Sequence, residues 1–208
     1  MICCYKKCLI LTVNEQFSLF LCKRMNKIFI TAQELLSDSF RLANQILLDG
    51  FKPDCIVGVW RGGAPIAIAV QEYFEYKNIK IDHMPIRASS YYDIDKQADE
   101  IKIYGLQYLF NHIQSSDNLL LVDDVFDSGR SVAQLIKLIK AKSKHKHEQN
   151  IKIACVWYKP GKAKVGFAPD YFIHKNDNWL VFPHELQGLS HKEIVNNKSD
   201  FDNMLNLF

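Results

Sequence analysis

Asp123 and Asp124 are adjacent carboxylates, and Asp127, Ser128, Gly129, Arg130 and Ser131 follow close behind them. Neighbouring carboxylates repel each other unless a cation or a set of sugar hydroxyls sits between them. The run behind them supplies a flexible glycine, two hydroxyls and a cation just ahead of VAQLIKLIK, where Val132, Leu135, Ile136 and Ile139 recur at helical spacing. A loop feeding a helix N-terminus offers backbone N–H groups and the helix dipole to a phosphate, and Ser128, Arg130 and Ser131 add hydrogen bonds. A second loop of this kind is Arg61, Gly62, Gly63, where glycines let N–H groups approach phosphate oxygens closely. Lys159, before Pro160 and Gly161, is a third polar group placed to reach a ligand. Each has a plainer use: acids and serines cap helices, an RGG makes a tight turn, and a lysine at a strand end is solvated.

The elements that must carry these residues are legible. Leu119 to Val122 is an apolar run without alternation, as in a strand buried on both faces of a parallel sheet, and the acidic pair stops it. Cys55 to Trp60 is a second buried strand, ending in the RGG loop, with a helix from Ala64 to about Tyr76 that has Pro65 in its first turn. Before it, Thr31 and Glu34 form a capping box for a helix closed by Gly50. Ile79 to Arg87 alternates like a half-buried strand and leads into a hydrophilic loop, ASSYYDIDKQADE. Ile101 to Tyr104 reads as a returning strand and Leu106 to His112 as a short helix. Ile151 to Tyr158 is a further buried strand. Asp170 to Glu185 then gives two short aromatic strands joined by a polar turn, and a mostly polar helix follows from Ser190. Ligands of open α/β sheets bind beyond the C-terminal strand ends, where the three polar groups fall.

The stretch from Leu119 to Ser131 resembles the phosphoribosyl pyrophosphate (PRPP) signature of the type I phosphoribosyltransferases, without gap or departure. The resemblance implies a Rossmann-like parallel sheet with helices on both faces and a small C-terminal hood at about residues 165–208. Within it Asp123 and Asp124 face the ribose hydroxyls and Mg²⁺, residues 127 to 131 cradle the 5′-phosphate, and Arg61, Gly62 and Gly63 bind pyrophosphate. A mobile loop with a Ser-Tyr pair, matched by Ser90 and Tyr91, closes over the reacting centre in this family. Lys159 with Pro160, then Trp179 ahead of an acid, resembles the 6-oxopurine branch, which acts on hypoxanthine, guanine or xanthine. On that pattern Lys159 donates to purine O6, Trp179 stacks on the ring, the backbone near Leu180 meets the base edge, and Glu185 matches the branch's acid. Asp127 resembles the family's acid or base at purine N7. The implied reaction moves the 5-phosphoribosyl group from PRPP to the base, with Mg²⁺ as cofactor and a homodimer or homotetramer as the assembly. Transfer to another base, and a PRPP-binding regulator without catalysis, are the alternatives; Lys159 speaks against adenine.

Composition narrows the remainder. The chain has 208 residues, 48% hydrophobic and 24% charged, which suits one globular domain. A net charge of +3 with scattered lysines gives no footprint for nucleic acid. The run from Lys137 to Lys146 reads as a solvated helix end, and His145 and His147 as surface residues. A generic Mg²⁺ phosphoryl-transfer site ranks last, since no P-loop lysine motif is present. Six cysteines without zinc or disulfide spacing suit a reducing cytoplasm. Residues 1–24 read as a disordered or loosely packed extension that is neither a membrane span nor a signal peptide, with the domain running from 25 to 208.

Overall fold

The computed structural model describes residues 27–90, 101–112, 114, 116–142 and 150–198. The expectations for residues 1–24, for Tyr91 and its loop, for His145 and His147, and for the chain after 198 lie outside the described residues.

Thirteen elements follow in chain order: β1 (Lys27–Phe29), α1 (Ala32–Leu48), β2 (Cys55–Trp60), α2 (Gly63–Tyr76), β3 (Asp82–Ser90), β4 (Ile101–Tyr104), α3 (Leu106–His112), β5 (Asn118–Phe126), α4 (Arg130–Lys142), β6 (Asn150–Tyr158), β7 (Tyr171–Lys175), β8 (Trp179–Val181) and α5 (His191–Asn197). Six strands form the main sheet in the order β4-β3-β2-β5-β6-β7. All neighbours run parallel except β4, which returns antiparallel to β3. The chain steps outward from β2 to β4, comes back to β5 beside β2, and then steps outward the other way. This reversal opens a crevice beyond the C-terminal ends of β2 and β5.

The expected parallel α/β sheet with helices on both faces is what the chain forms. Alternate residues of each central strand enter opposite cores, which is why the strands read as unbroken apolar runs. Ile56, Leu120, Val122, Ala154 and Val156 pack with Leu42 and Ile46 of α1 and Ile66, Val70 and Phe74 of α2. Val57, Leu119, Leu121, Ile153 and Cys155 pack with Leu109 of α3 and Val132, Leu135 and Ile139 of α4. Each fully buried Leu or Ile contributes about 1.5–3 kcal/mol relative to exposure.

Helix α1 starts at the capping box: Glu34 N donates to Thr31 Oγ1 at 3.1 Å, and Thr31 N to Glu34 Oε2 at 2.8 Å. Two acids tie it to β7, Asp38 on its buried side and Asp49 at its C-cap. Asp38 Oδ2 lies 2.7 Å from His174 Nε2, and Tyr171 Oη donates to Asp49 Oδ2 at 2.6 Å.

Element ends differ from expectation by more than a residue at three places, one being the far end of β3, which runs past Arg87 to Ser90 because β4 pairs with it as far as Ser90↔Ile101. Strand β5 does not stop at the acidic pair but runs on to Phe126, because β6 continues to pair with it at Asp123↔Cys155, Val125↔Trp157 and Phe126↔Tyr158. Strand β3 begins at Asp82, not Ile79, because Ile79 N still bonds to Phe74 O at 3.0 Å and Asn78 turns the chain at φ 60°.

The two aromatic strands part company. β7 extends the edge of the main sheet, whereas β8 joins β1 in a separate two-stranded parallel sheet, with Lys27 opposite Trp179 and Phe29 opposite Val181. Ile30 N extends that pairing to Val181 O at 3.0 Å. Lys27 Nζ also reaches Glu193 Oε1 of α5 at 2.7 Å, so β1, β8 and α5 form one small unit. Among the described residues no helix is long and apolar enough to cross a membrane.

Candidate active site

The crevice at the chain reversal is walled by the loop after β2 and the loop after β5. Trp60 and Arg61 are joined by a cis peptide, and Gly62 follows directly beside the acidic pair. A side-chain carbon on Gly62 would overlap the Asp124 carboxylate, so only glycine lets the two loops meet. Arg61 is exposed at the mouth.

Asp123 and Asp124 are half-buried within β5. Asp124 N donates to Asp123 Oδ1 at 3.0 Å, and Val125 N to Asp124 Oδ1 at 2.7 Å. Burial, and then the Asp124 charge, push the Asp123 carboxyl well above the ordinary carboxylate range. Burial also raises Asp124, with Glu185 acting the same way and hydrogen bonds from Asp123 and Val125 opposing, together with the charge of His184. Two acids held against their ionised form are a site that a cation relieves. Among the described residues no three His, Cys, Asp or Glu side chains make a ready cage. Two hard carboxylates short of a cage fit Mg²⁺, which is commonly held by one or two carboxylates together with phosphate oxygens of the substrate.

The phosphate-type loop follows β5. Gly129 adopts φ +73°, and a side chain there would run into the Phe126 ring and Val165. Ala133 N closes the first turn of α4 on Gly129 O at 2.9 Å, and Arg130 N points to Ser128 Oγ at 3.4 Å. Lys164 N braces the loop from outside by donating to Ser128 O at 3.0 Å. Asp127, Ser128 and Ser131 are half-buried and Arg130 is exposed.

Lys159 is 5% exposed, and its ammonium lies 3.4 Å from Asp127 Oδ2. Register explains the meeting: Phe126 and Tyr158 are partners on β5 and β6, so the next residues come out side by side. Lys159 N also donates to Phe126 O at 2.9 Å. Trp179, at 37% exposure, and buried Leu180 lie on β8. Glu185 Oε2 accepts from Phe182 N at 3.0 Å while its charge is felt at Asp124. Ser90 ends β3 opposite Ile101. The structure thus brings residues 61–63, 123–124, 127–131, 159 and 185 around one crevice. His184, which sequence reasoning passed over, also faces Asp124 electrostatically and stacks on Phe182 with centroids 5.9 Å apart.

Residues 29–192 match the phosphoribosyl transferase domain family. A hypoxanthine-guanine phosphoribosyltransferase of Streptococcus mutans is 25% identical over 160 residues, covering 76% of this chain and 83% of the relative. A purine phosphoribosyltransferase structure from Pyrococcus horikoshii superposes with TM-score 0.62 at 26% identity, covering 80% of this chain and 99% of the other. A xanthine-guanine-hypoxanthine phosphoribosyltransferase from Helicobacter pylori shares the fold at 20% identity, with TM-score 0.60 and coverage of 84% and 99%.

Proposed function

The chain belongs to the phosphoribosyl transferase domain family, and we propose that it transfers the 5-phosphoribosyl group of PRPP to a 6-oxopurine base, releasing pyrophosphate. The observation that carries this reading is the joining of two anion loops at the chain reversal, with Gly62 seated against Asp124 and the Asp127–Lys159 pair beside them.

In the proposed reaction the bond from C1′ to the pyrophosphate oxygen breaks ahead of the bond forming from purine nitrogen. Positive charge develops on the sugar and negative charge on the leaving group. Arg61 and the backbone at Gly62 and Gly63 face the leaving pyrophosphate, and preorganised donors of this kind act where charge develops. Mg²⁺, held by Asp123, Asp124 and PRPP oxygens, would add positive charge at the same place. Ser128, Gly129, Arg130 and Ser131 hold the 5′-phosphate at the start of α4. Asp127 takes the N7 proton as the base is alkylated, and its contact with Lys159 aims it. Lys159 donates to O6, Trp179 stacks on the ring, and the Leu180 backbone meets the base edge. Glu185 orders the end of that strip through Phe182 N. Ser90, the last residue of β3, leads into the Tyr91 segment assigned to close over the centre and keep water from the cationic sugar.

We take residues 25–208 as one domain that works as a homodimer or homotetramer in the cytoplasm. The free, buried Cys55 and Cys155 support a reducing compartment. The test is pyrophosphate release from PRPP and Mg²⁺ with hypoxanthine, guanine, xanthine, adenine, uracil and orotate offered singly. Release confined to the 6-oxopurines is the expected result. Release with another base alone, or PRPP binding without release, overturns it.

A further inference from the structure

The two groups assigned to the base sit on different segments: Lys159 follows β6, and Trp179 opens β8. A purine stacked on Trp179 must also present its edge to the Lys159 ammonium, so the two segments must keep a fixed separation. Two side chains outside the pocket tie the strip bearing Trp179. At one end, Asp177 Oδ1 accepts from Gly161 N, two residues beyond Lys159, at 2.9 Å. The same turn is bound to the strand before Lys159, with Asn176 N donating to Tyr158 O at 3.0 Å. At the other end, Lys198 Nζ donates to Phe182 O at 2.7 Å and to Pro183 O at 3.0 Å. Glu185 N also donates to Phe182 O at 3.0 Å, so the Lys198 ammonium and the turn after β8 share one acceptor. Burial holds the Lys198 amine below the usual lysine range. An amine placed there at a desolvation cost is held by the two carbonyls it serves.

We propose that Asp177 and Lys198 are positioning residues for base recognition: Asp177 ties the start of the Trp179–Glu185 strip to the Lys159 loop, and Lys198 ties its far turn to the end of α5. The proposal rests on the 6-oxopurine reading and deepens it. Neither side chain touches substrate; Asp177 fixes the strip's distance from the edge donor, and Lys198 fixes the course of the strip beyond Trp179. A misplacement of about 1 Å in such a constellation costs up to roughly 100-fold. The arrangement also separates the substrates: PRPP is held by loops after β2 and β5, which neither residue contacts.

The experiment measures kcat, KM for hypoxanthine and KM for PRPP in Asp177→Ala, Lys198→Met, Asp177→Asn and Lys198→Arg. The two truncating variants should raise the hypoxanthine KM by about 10- to 100-fold and leave the PRPP KM within about twofold. Asp177→Asn keeps the acceptor and Lys198→Arg keeps the donors, so both should recover most of the loss. An unchanged hypoxanthine KM, or equal rises for both substrates, overturns the proposal. Asp177→Ala lies in an exposed turn and decides the question if Lys198→Met does not fold. Wild-type protein that releases no pyrophosphate with any 6-oxopurine overturns the activity and the clamp together. Wild-type turnover with unaltered truncating variants overturns the clamp alone.

Discussion

The Asp127–Lys159 pair makes an asymmetric stability prediction. At 3.4 Å the Coulomb attraction is about 5 kcal/mol with an effective dielectric near 20, before desolvation is subtracted. The Lys159 side chain is 7% exposed and that of Asp127 30%, so most of the desolvation falls on the lysine. Lys159→Met replaces a buried cation with an apolar chain of similar length and leaves Asp127 open to water. Asp127→Asn instead leaves the buried ammonium without its counter-charge. Stranding a buried charge costs about 3–5 kcal/mol in a fully buried pair, and water at Asp127 trims that to roughly 1–3 kcal/mol here. For a domain of this size 1 kcal/mol moves Tm by about 2–4 °C. Asp127→Asn should therefore lower Tm by about 2–12 °C, while Lys159→Met stays within about 3 °C of wild type. Thermal unfolding of both single variants and the double variant gives the coupling directly, and the double should lie close to Lys159→Met. A Lys159→Met protein less stable than Asp127→Asn, or additive losses in the double, would refute the account. Turnover should behave differently: Asp127→Asn loses about 10²–10⁴ in kcat with PRPP binding kept, whereas Lys159→Met chiefly weakens base binding.

The acidic pair gives the reverse of the usual pattern, because Asp124→Asn keeps the bond from Val125 N but removes a raised carboxylate: Tm should hold or rise by a few degrees at about 1 kcal/mol, while calorimetry detects no Mg²⁺-dependent PRPP binding. Gly62→Ala drives a methyl into the Asp124 carboxylate, so it should cost about 1–3 kcal/mol in denaturant unfolding and lose PRPP binding. Trp179→Ala should raise the base KM by roughly tenfold and Trp179→Phe by much less, as expected for a stacking contribution near 1 kcal/mol. Burial pushes the Cys55 thiol up to about 12, so native protein at pH 8 should resist alkylation there on the hour scale and react once unfolded. The same shift fixes the sign of the pH effect: the folded form holds that proton more tightly, so stability from this group falls as pH rises above about 8.5.

Much of this site is written locally. The phosphate-type loop, the RGG loop and the strands before them occupy short contiguous stretches whose residue types follow from backbone geometry and charge. What was hidden depends on pairing. The strand through Asp123 and Asp124 continues to Phe126 because β6 lies beside it, and no local pattern announces that. The contact of Asp127 with Lys159 follows only from the β5–β6 register. β1 and β8 are too short to carry a period of their own, and their partnership spans most of the chain. His184 is a lone exposed histidine, a residue type with no pattern to mark it until the turn at Phe182 aims it.

The pairing of Lys27 with Trp179 has a consequence for how the molecule assembles. β2, α2 and β3 lie consecutively and can meet as soon as they are made, whereas β1 must wait for a strand roughly 150 residues downstream. Closing so long a loop costs about 0.6 kcal/mol more for each doubling of length, with only a three-residue strand to recover it. The β1–β8 pair is therefore expected to form after the main sheet, so the crevice between the β2 and β5 loops takes shape before the strip bearing Trp179 is in place. In the finished molecule the three-residue pairing of β1 with β8 has few hydrogen bonds to hold it, so amide exchange should be faster there than in β2 or β5. On the proposed assignment of Trp179 to the base, such opening would let a nucleotide leave with the loops after β2 and β5 intact.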